Sequence, residues 1–381
     1  MTFLDVHVLQ SVPPSNLNRD ESGSPKTATY GGVLRARVSS QAWKRAVRDA
    51  FLNDPNLAKD GGLRTRQLPR VIGDAVTARR PALGAASDVI GTAATLALFK
   101  KVKLAKNKPI TEYLLFLGHD QVERVADALV AADLEEVVED PDQIRARITG
   151  LDLHELGIKG HAGAVALFGR MVADAPELNV DAACQVAHAL STHKVVSDQF
   201  DYFTAVDDES RRQDETGAGM IGTIEFNSAT LYRFATVSMR DLIANLDGET
   251  DRALDLALAF AKTFATAMPT GKQNTFAAHT RPDLIMINVR ADQPVSLAGA
   301  FEEPVRAPEG GIVPASVAQL VTYHSEQDKM YGTSPLTSAL IYPAWLGDRV
   351  NDEKQIELPP AQPLDTALDT VRATLGERIT Q

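Results

Sequence analysis

The chain has 381 residues, 44% of them hydrophobic and 23% charged, which suits one large globular domain or two ordinary ones and excludes fibrous, collagenous and wholly disordered classes. A single cysteine, Cys184, cannot make an internal disulfide or a multi-cysteine zinc site, and so points to a reducing compartment, by default the cytoplasm. The formal net charge of -11, from 39 basic against 50 acidic residues, weighs at first sight against a nucleic-acid partner.

Phe3 to Gln10 is an apolar run rich in β-formers, which predicts a strand ending at Pro13-Pro14. A polar loop from Ser15 to Tyr30 follows. Gly31-Gly32 then precedes the alternating VLRARVS, a second strand with Arg35 and Arg37 on one face. Ser39 or Ser40 supplies the cap of a helix in which Ala42, Ala46, Val47, Ala50 and Phe51 recur at helical spacing. Residues 53 to 194 read as mostly helical, with Val122, Val125, Ala126, Leu129 and Val130 forming the apolar stripe of an acidic helix.

Gln199 to Val206 and Met220 to Met239 are aromatic and β-branched and flank a polar stretch, the pattern of a β-hairpin with a long tip. Asp251 to Met268 predicts a buried helix stopped at Pro269, Asp283 to Val289 a buried strand, and Leu364 onward a last helix. The N-terminal residues lack a basic segment followed by an apolar core, and no run of about eighteen apolar residues stands out, so neither a signal peptide nor a membrane span is expected. No repeat of solenoid or propeller period is visible.

Charge is unevenly spread. Ser15 to Arg48 holds seven basic residues, Arg19, Lys26, Arg35, Arg37, Lys44, Arg45 and Arg48, against Asp20 and Glu21, whereas His119 to Asp142 holds nine acidic residues against Arg124 alone. A polyanion senses the field within about 8 to 10 Å in physiological salt, so the local excess outweighs the total. Lys44 and Arg48 share a helix face with Arg45 beside them, and like charges one turn apart cost a few tenths of a kcal/mol. Such a cluster suits phosphate: Arg offers paired donors, Lys a compact charge, and the helix start adds backbone N–H groups. Taken alone, the residues leave two readings open, a phosphate site or a solvated helix salt-bridged to the acidic block.

Three other signals carry less. Gly271-Lys272 in PTGKQNT resembles a P-loop, yet Gln273 stands where Ser or Thr belongs and Thr266 replaces the first Gly, so no ATP is expected. His154, His161, His188 and His193 lack the four-residue spacing that aligns two imidazoles on a helix, and no metal or other cofactor is expected. Cys184, in DAACQVAHAL, reads as an inert core thiol on an apolar helix.

The ordered blocks HVLQSVPPSNLNRDESGSPK, GGVLRARVSSQAWKRAVR, ALFGRM, STHKVVSDQFDYFTAVDD, GTIEFNSATLYRFA and GKQNTFAA, from His7 to Ala278, resemble the CasC family, the CRISPR RNA-binding backbone subunits of the type I-E CRISPR surveillance complex Cascade. The resemblance implies an α+β fold: an RRM-like (ferredoxin-like) palm, a large helical fingers insertion and a projecting β-hairpin thumb. It divides the chain into residues 1–52, palm with the basic helix; 53–190, fingers; 191–240, thumb and return strand; and 241–381, the rest of the palm and a helical tail.

It further implies a non-catalytic, cytoplasmic antiviral-defence protein that oligomerises head to tail along CRISPR RNA and kinks the guide at intervals for pairing with target DNA. Its partners would be CRISPR RNA, other copies of itself, other Cascade subunits and, through the guide, a target DNA strand, with no membrane. The RNA contacts implied are Arg19, Lys26, Ser39, Ser40, Gln41, Lys44, Arg45 and Arg48, with Met171 and Phe203 against bases near the kink. The hairpin tip ESRRQDETGAGM departs from the family pattern. Relatives in other CRISPR classes cut RNA with an aspartate in an N-terminal loop, so the enzyme alternative is a metal-dependent ribonuclease acting through Asp20. Contacts to phosphate and sugar rather than base edges fit a protein that must hold guides of any sequence.

Overall fold

In chain order the computed structural model contains β1 (Phe3–Ser15), β2 (Thr27–Tyr30), β3 (Val33–Val38), α1 (Ser40–Asn53), β4 (Gly62–Thr65), α2 (Leu68–Arg79), α3 (Ser87–Phe99) and β5 (Leu115–Gly118). There follow α4 (His119–Val130), α5 (Pro141–Thr149), α6 (Leu153–Ile158), α7 (Gly163–Phe168), β6 (Cys184–Val186), β7 (Ala189–Ser191), β8 (Asp198–Phe203) and β9 (Ile221–Ser238). The last third holds α8 (Met239–Asn245), α9 (Thr250–Thr266), α10 (Gln273–Phe276), β10 (Leu284–Arg290), α11 (Ile312–Tyr331), β11 (Thr337–Ile341), α12 (Ala344–Lys354) and α13 (Leu364–Ile379). The structure describes residues 1–381 except 101, 107, 173–175, 197, 204–220, 307–310, 355, 380 and 381. The result is a mixed α+β protein with a largely antiparallel sheet and many helices.

Two compact units form. One comprises Met1, Arg48–Gln185 and Val237–Ala259; the other, Thr2–Val47, Val186–Thr236 and Phe260–Gln381. The second is organised by a sheet of order β11-β10-β1-β9-β7-β3-β2, with β6 and β8 also paired to β9. β1 is buried from Leu4 to Gln10 and pairs antiparallel with β10, from Phe3 opposite Arg290 to Leu9 opposite Leu284. Burial of every residue means that both faces are covered, as a continuous apolar run predicts. On one face Leu9, Tyr232, Phe234, Leu284, Met286 and Leu340 pack with Phe301 and with Val317 and Leu320 of α11.

β1 does not end at the prolines. It continues through Pro13-Pro14 to Ser15, both prolines exposed and past the end of the β10 pairing, so their missing N–H groups interrupt no bond to that neighbour. The hairpin is present as β8 paired with β9, from Asp198 opposite Phe226 to Phe203 opposite Ile221. Its expected tip, residues 207–219, lies outside the described residues, as do the expected strand ends at 204–206 and 220. The buried helix, buried strand and C-terminal helix form as α9, β10 and α13.

The other unit is mainly helical, with a two-stranded sheet of β4 and β5 that the helical reading of residues 53–194 omitted. Leu68, Ile72 and Val76 of α2 meet Ile90, Ala94 and Leu98 of α3 in its core. A Cβ on Gly91 would stand 1.8 Å from the Pro69 carbonyl oxygen, so only glycine lets the two helices approach this closely. The acidic helix is α4, with Val122, Val125, Ala126 and Leu129 buried as its stripe requires. The linear charge excess is offset in space: Arg79 pairs with Glu123 and with Asp127 at 2.8 Å, Arg80 with Glu135 at 3.7 Å and Arg147 with Glu136 at 2.8 Å.

Two sequence expectations need correction here. Cys184 is buried but lies on strand β6, because the alternation of Cys184 and Val186 is short enough to fit either period. Pro81–Phe99, 19 residues of mean hydropathy 1.5, is long and apolar enough by composition to cross a bilayer, although half of it is buried inside the fold as α3 and the turn before it. Core helices of this kind pass the same test.

Candidate nucleic-acid interface

The N-terminal basic residues are brought together by a chain of backbone and side-chain bonds around Asn18. The loop between β1 and β2 closes on itself through Lys26 N–H to Asn18 O at 2.9 Å and an isolated bridge between Arg19 and Pro25. Asp20 organises its tip: one carboxylate oxygen accepts from Ser22 N at 2.9 Å, Ser22 Oγ at 2.7 Å and Ser24 N at 3.0 Å. The Ser22 hydroxyl bond, ahead of the backbone N–H bonds, holds the Asp20 carboxyl below the usual range. Arg19 stands exposed beside it.

β2 and β3 pair with Thr27 opposite Ala36, and Arg37 N–H donates to Lys26 O at 2.9 Å, so the register extends to place Lys26 directly across from Arg37. Cross-strand partners share a face. Arg37 is steered by Nε–H donating to Thr27 O at 3.2 Å, and its Nη1 donates to His188 Nδ1 at 3.2 Å. Partial burial, and then the charges of Arg37 and Lys26, keep the His188 imidazole below its ordinary pKa. Among the described residues neither Lys26 nor Arg37 pairs with a carboxylate.

Helix α1 starts where β3 ends. Ser39 is its cap: the Oγ accepts from Ala42 N at 3.3 Å, and Asn18 Oδ1 accepts from Ser39 N at 2.8 Å, which ties the helix start to the Lys26 loop. The first-turn N–H groups of Ser40 and Gln41 have no acceptor among the described residues, so an N-terminal positive field is retained. Trp43, Ala46, Val47 and Phe51 are buried, which turns Gln41, Lys44, Arg45 and Arg48 to the opposite side. Under the buried face, Arg233 lies 3.7 Å from the Trp43 ring centroid and 4.7 Å from that of Phe264. Its Nη1 donates to Gln10 Oε1 at 2.6 Å and its Nη2 to Phe264 O, in the last turn of α9. Burial lowers this guanidinium to about 9, and the helix-end carbonyls are the complement of its charge.

The structure therefore gathers Arg19, Lys26, Ser39, Ser40, Gln41, Lys44 and Arg45 around one loop, strand end and helix start, with Arg48 one turn further along α1. Arg48 stands 5.5 Å from the Phe168 ring centroid. Arg35 does not join them. It is fully buried and donates to Tyr30 O, Ser191 O, Phe301 O and Glu302 O, because β3 has its Arg35 covered by the segment before α11. Met171 is 80% exposed, following Arg170, which is buried and donates to Leu178 O and Gly157 O. Phe203 ends β8, and its side chain lies outside the described residues.

Sequence reasoning counted Arg37 in the basic excess but left it out of the implied contacts, and it missed His188 as a neighbour, though the β2–β3 register was signalled by Gly31-Gly32, both at positive φ. It also missed why GKQNTF matters. A Cβ on Gly271 would stand 2.1 Å from Leu17 O, so this glycine seats its turn against the loop that carries Arg19. Phe276 of the same segment meets Phe200 and Phe226 at centroid distances of 6.1 and 5.7 Å, anchoring the root of the hairpin. Two of the histidines are engaged locally: His154 Nδ1 donates to Leu98 O, and His193 Nε2 accepts from Thr230 N.

The family model described as CT1975-like protein matches residues 4–366. The chain belongs to the CT1975-like family. A chain of a solved "CRISPR RNA-guided surveillance complex, pre-nicking" is 30% identical to this CT1975-like protein, with a TM-score of 0.80 over 98% of this chain and 100% of that one. A second, from a "CRISPR RNA-guided surveillance complex", is 26% identical with a TM-score of 0.70 over 98% and 99%. No curated protein matches in sequence. The family and both structures are consistent with the CasC-like resemblance of the motifs.

Proposed function

We propose that this CT1975-like protein is the non-catalytic backbone subunit of a type I-E CRISPR RNA-guided surveillance complex in the cytoplasm. In this reading the sheet unit is the RRM-like palm, the helical unit the fingers and the β8–β9 hairpin the thumb. Copies follow one another along a CRISPR RNA, each holding the guide by its phosphates and kinking it for pairing with target DNA, beside the other subunits of the complex. The observation that carries the reading is the Lys26–Arg37 pair set beside the Ser39-capped start of α1, which bears Lys44. Point charges, one guanidinium fork and N-terminal amides grip a ribose-phosphate strand without consulting its bases. Arg19, Arg45 and Arg48 extend the field, and Met171 and Phe203 take the base contacts at the kink.

The engagement of Asp20 by Ser22 and Ser24 supports a scaffold over a ribonuclease, since that carboxylate shapes the loop. The test is co-expression with a CRISPR RNA, purification, and measurement of particle mass and of the nucleic-acid to protein ultraviolet absorbance ratio. The expected result is several copies per RNA, whatever the guide sequence. Oligomers free of nucleic acid, or Mg²⁺-dependent cleavage of complementary RNA that Asp20→Ala abolishes, refute it.

A further inference from the structure

Helix α3 ends in the most lysine-dense segment of the chain: Lys100, Lys101, Lys103, Lys106 and Lys108, with no acidic residue between Val89 and Thr111. The described residues of this segment are tied by backbone bonds. Val102 N bonds Phe99 O at 2.9 Å, Ala105 N bonds Ile110 O at 2.8 Å and Glu112 N bonds Lys103 O at 2.9 Å, while Thr111 N is tied to Arg66 O at 2.8 Å. Lys100, Lys103, Lys106 and Lys108 are exposed, and among the described residues none of the four pairs with a carboxylate. In the acidic block of the same unit five of the nine carboxylates, Glu123, Asp127, Glu135, Glu136 and Asp142, are already engaged by Arg79, Arg80, Arg145 and Arg147.

Lys100 also lines a groove of about 680 Å³ between α3 and the segment from α5 to α6. Its lining includes Leu96, 38% exposed, and Leu151, the hydroxyl-bearing Thr92 and Thr149, and the charged Arg145 and Asp152. Apolar and hydroxyl-bearing side chains beside the exposed Lys100, where the lysine-rich segment begins, fit a strand that offers both an unstacked base and phosphates. A duplex keeps its bases stacked and can use only the lysines. Lysines dominate the charge, since Arg145 of the groove is already held by Asp142 at 2.7 Å, and such a face fits a contact indifferent to sequence.

We propose that this face of the helical unit binds single-stranded nucleic acid, its phosphates on Lys100, Lys103, Lys106 and Lys108 and a base in the Leu96 groove, as a site separate from that of β3 and α1.

The test uses the full chain purified on its RNA guide and a fluorescent single strand not complementary to that guide, beside the duplex of the same sequence. Each lysine–phosphate contact on a single strand contributes a slope of about 0.7 in log K against log salt. Lys103→Ala/Lys106→Ala/Lys108→Ala is expected to flatten the slope by about 2 and weaken the single strand about fifty-fold at ~0.15 M salt. Leu96→Gln, at an exposed helix position, is expected to weaken the single strand about five-fold and leave the duplex unchanged. Undiminished single-strand affinity in the triple variant, or equal binding of strand and duplex with no effect of Leu96→Gln, overturns the proposal. The RNA content of the particle reports separately on the backbone-subunit reading, since these substitutions leave β3 and α1 untouched.

Discussion

Replacing Lys26 and Lys44 by alanine removes two cations that the fold does not use, since among the described residues neither side chain has a carboxylate partner. Lys26 keeps its place through backbone bonds to Asn18 and Arg37, and α1 keeps its Ser39 cap and its buried Trp43 face, so the double variant is expected to fold normally. On a single strand each lost phosphate contact lowers the slope of log K against log salt by about 0.7, so the pair lowers it by about 1.4. Between ~1 M and ~0.15 M salt, about 0.8 of a log unit, that amounts to about fourteen-fold in affinity, or roughly 1.6 kcal/mol. The assay is fluorescence anisotropy with two RNAs of unrelated sequence over a salt series, with far-UV circular dichroism as the fold control. Both RNAs must lose affinity alike. An unchanged slope, or a loss confined to one sequence, means that this surface does not hold the backbone.

Phe276→Ala should loosen the hairpin root by removing one of three mutually packed rings, at a cost of about 1 to 3 kcal/mol, read as faster hydrogen exchange in β8 and the paired part of β9; unaltered protection would contradict the anchoring role. His7 is buried against Tyr232, and burial lowers it to about 3, so the stability it contributes is complete above pH ~6.5 and is lost as pH falls toward 3. Asp5, raised by burial to about 6, acts with the opposite sign and loses its contribution as pH rises from about 4 through 6. Urea denaturation should therefore show a shallower acid decline in His7→Gln than in the parent, and identical pH profiles would rule out this assignment. Gly91→Ala should destabilise the helical unit by more than about 2 kcal/mol, because its methyl meets the Pro69 carbonyl; a thermal midpoint equal to the parent's would show that α2 and α3 can separate without penalty.

Local periodicity and capping chemistry carried much of the fold. The spacing of Ala46, Val47 and Phe51 fixed the buried side of α1 and so which side carries Lys44 and Arg48, because a helix face is set by residues within two turns, while the burial of Trp43 in place of Ala42 and Ala50 was not read from it. The buried strand β10, the helix α9 and the paired strands of the hairpin were legible for the same reason. Ser39 rather than Ser40 as the cap was beyond the sequence, since Asn18 chooses between them from twenty-one residues away. The lysines after α3 were plain in composition, but that they stand without carboxylate partners depends on which arginines the acidic helix meets.

Tertiary contacts decided the rest. Alternation puts Arg35 and Arg37 on one side of a strand with equal right, yet the carbonyls of Phe301 and Glu302, more than 260 residues along the chain, engage Arg35 and leave Arg37 to face Lys26 and His188. Similarly, the acidic run around α4 is partly offset in space, because Arg79 and Arg80, at the end of α2, meet Glu123, Asp127 and Glu135 from some 44 to 55 positions earlier. A charge written in the sequence becomes a binding surface only where folding brings no opposite charge or buried carbonyl to meet it, and that depends on partners far away in the chain.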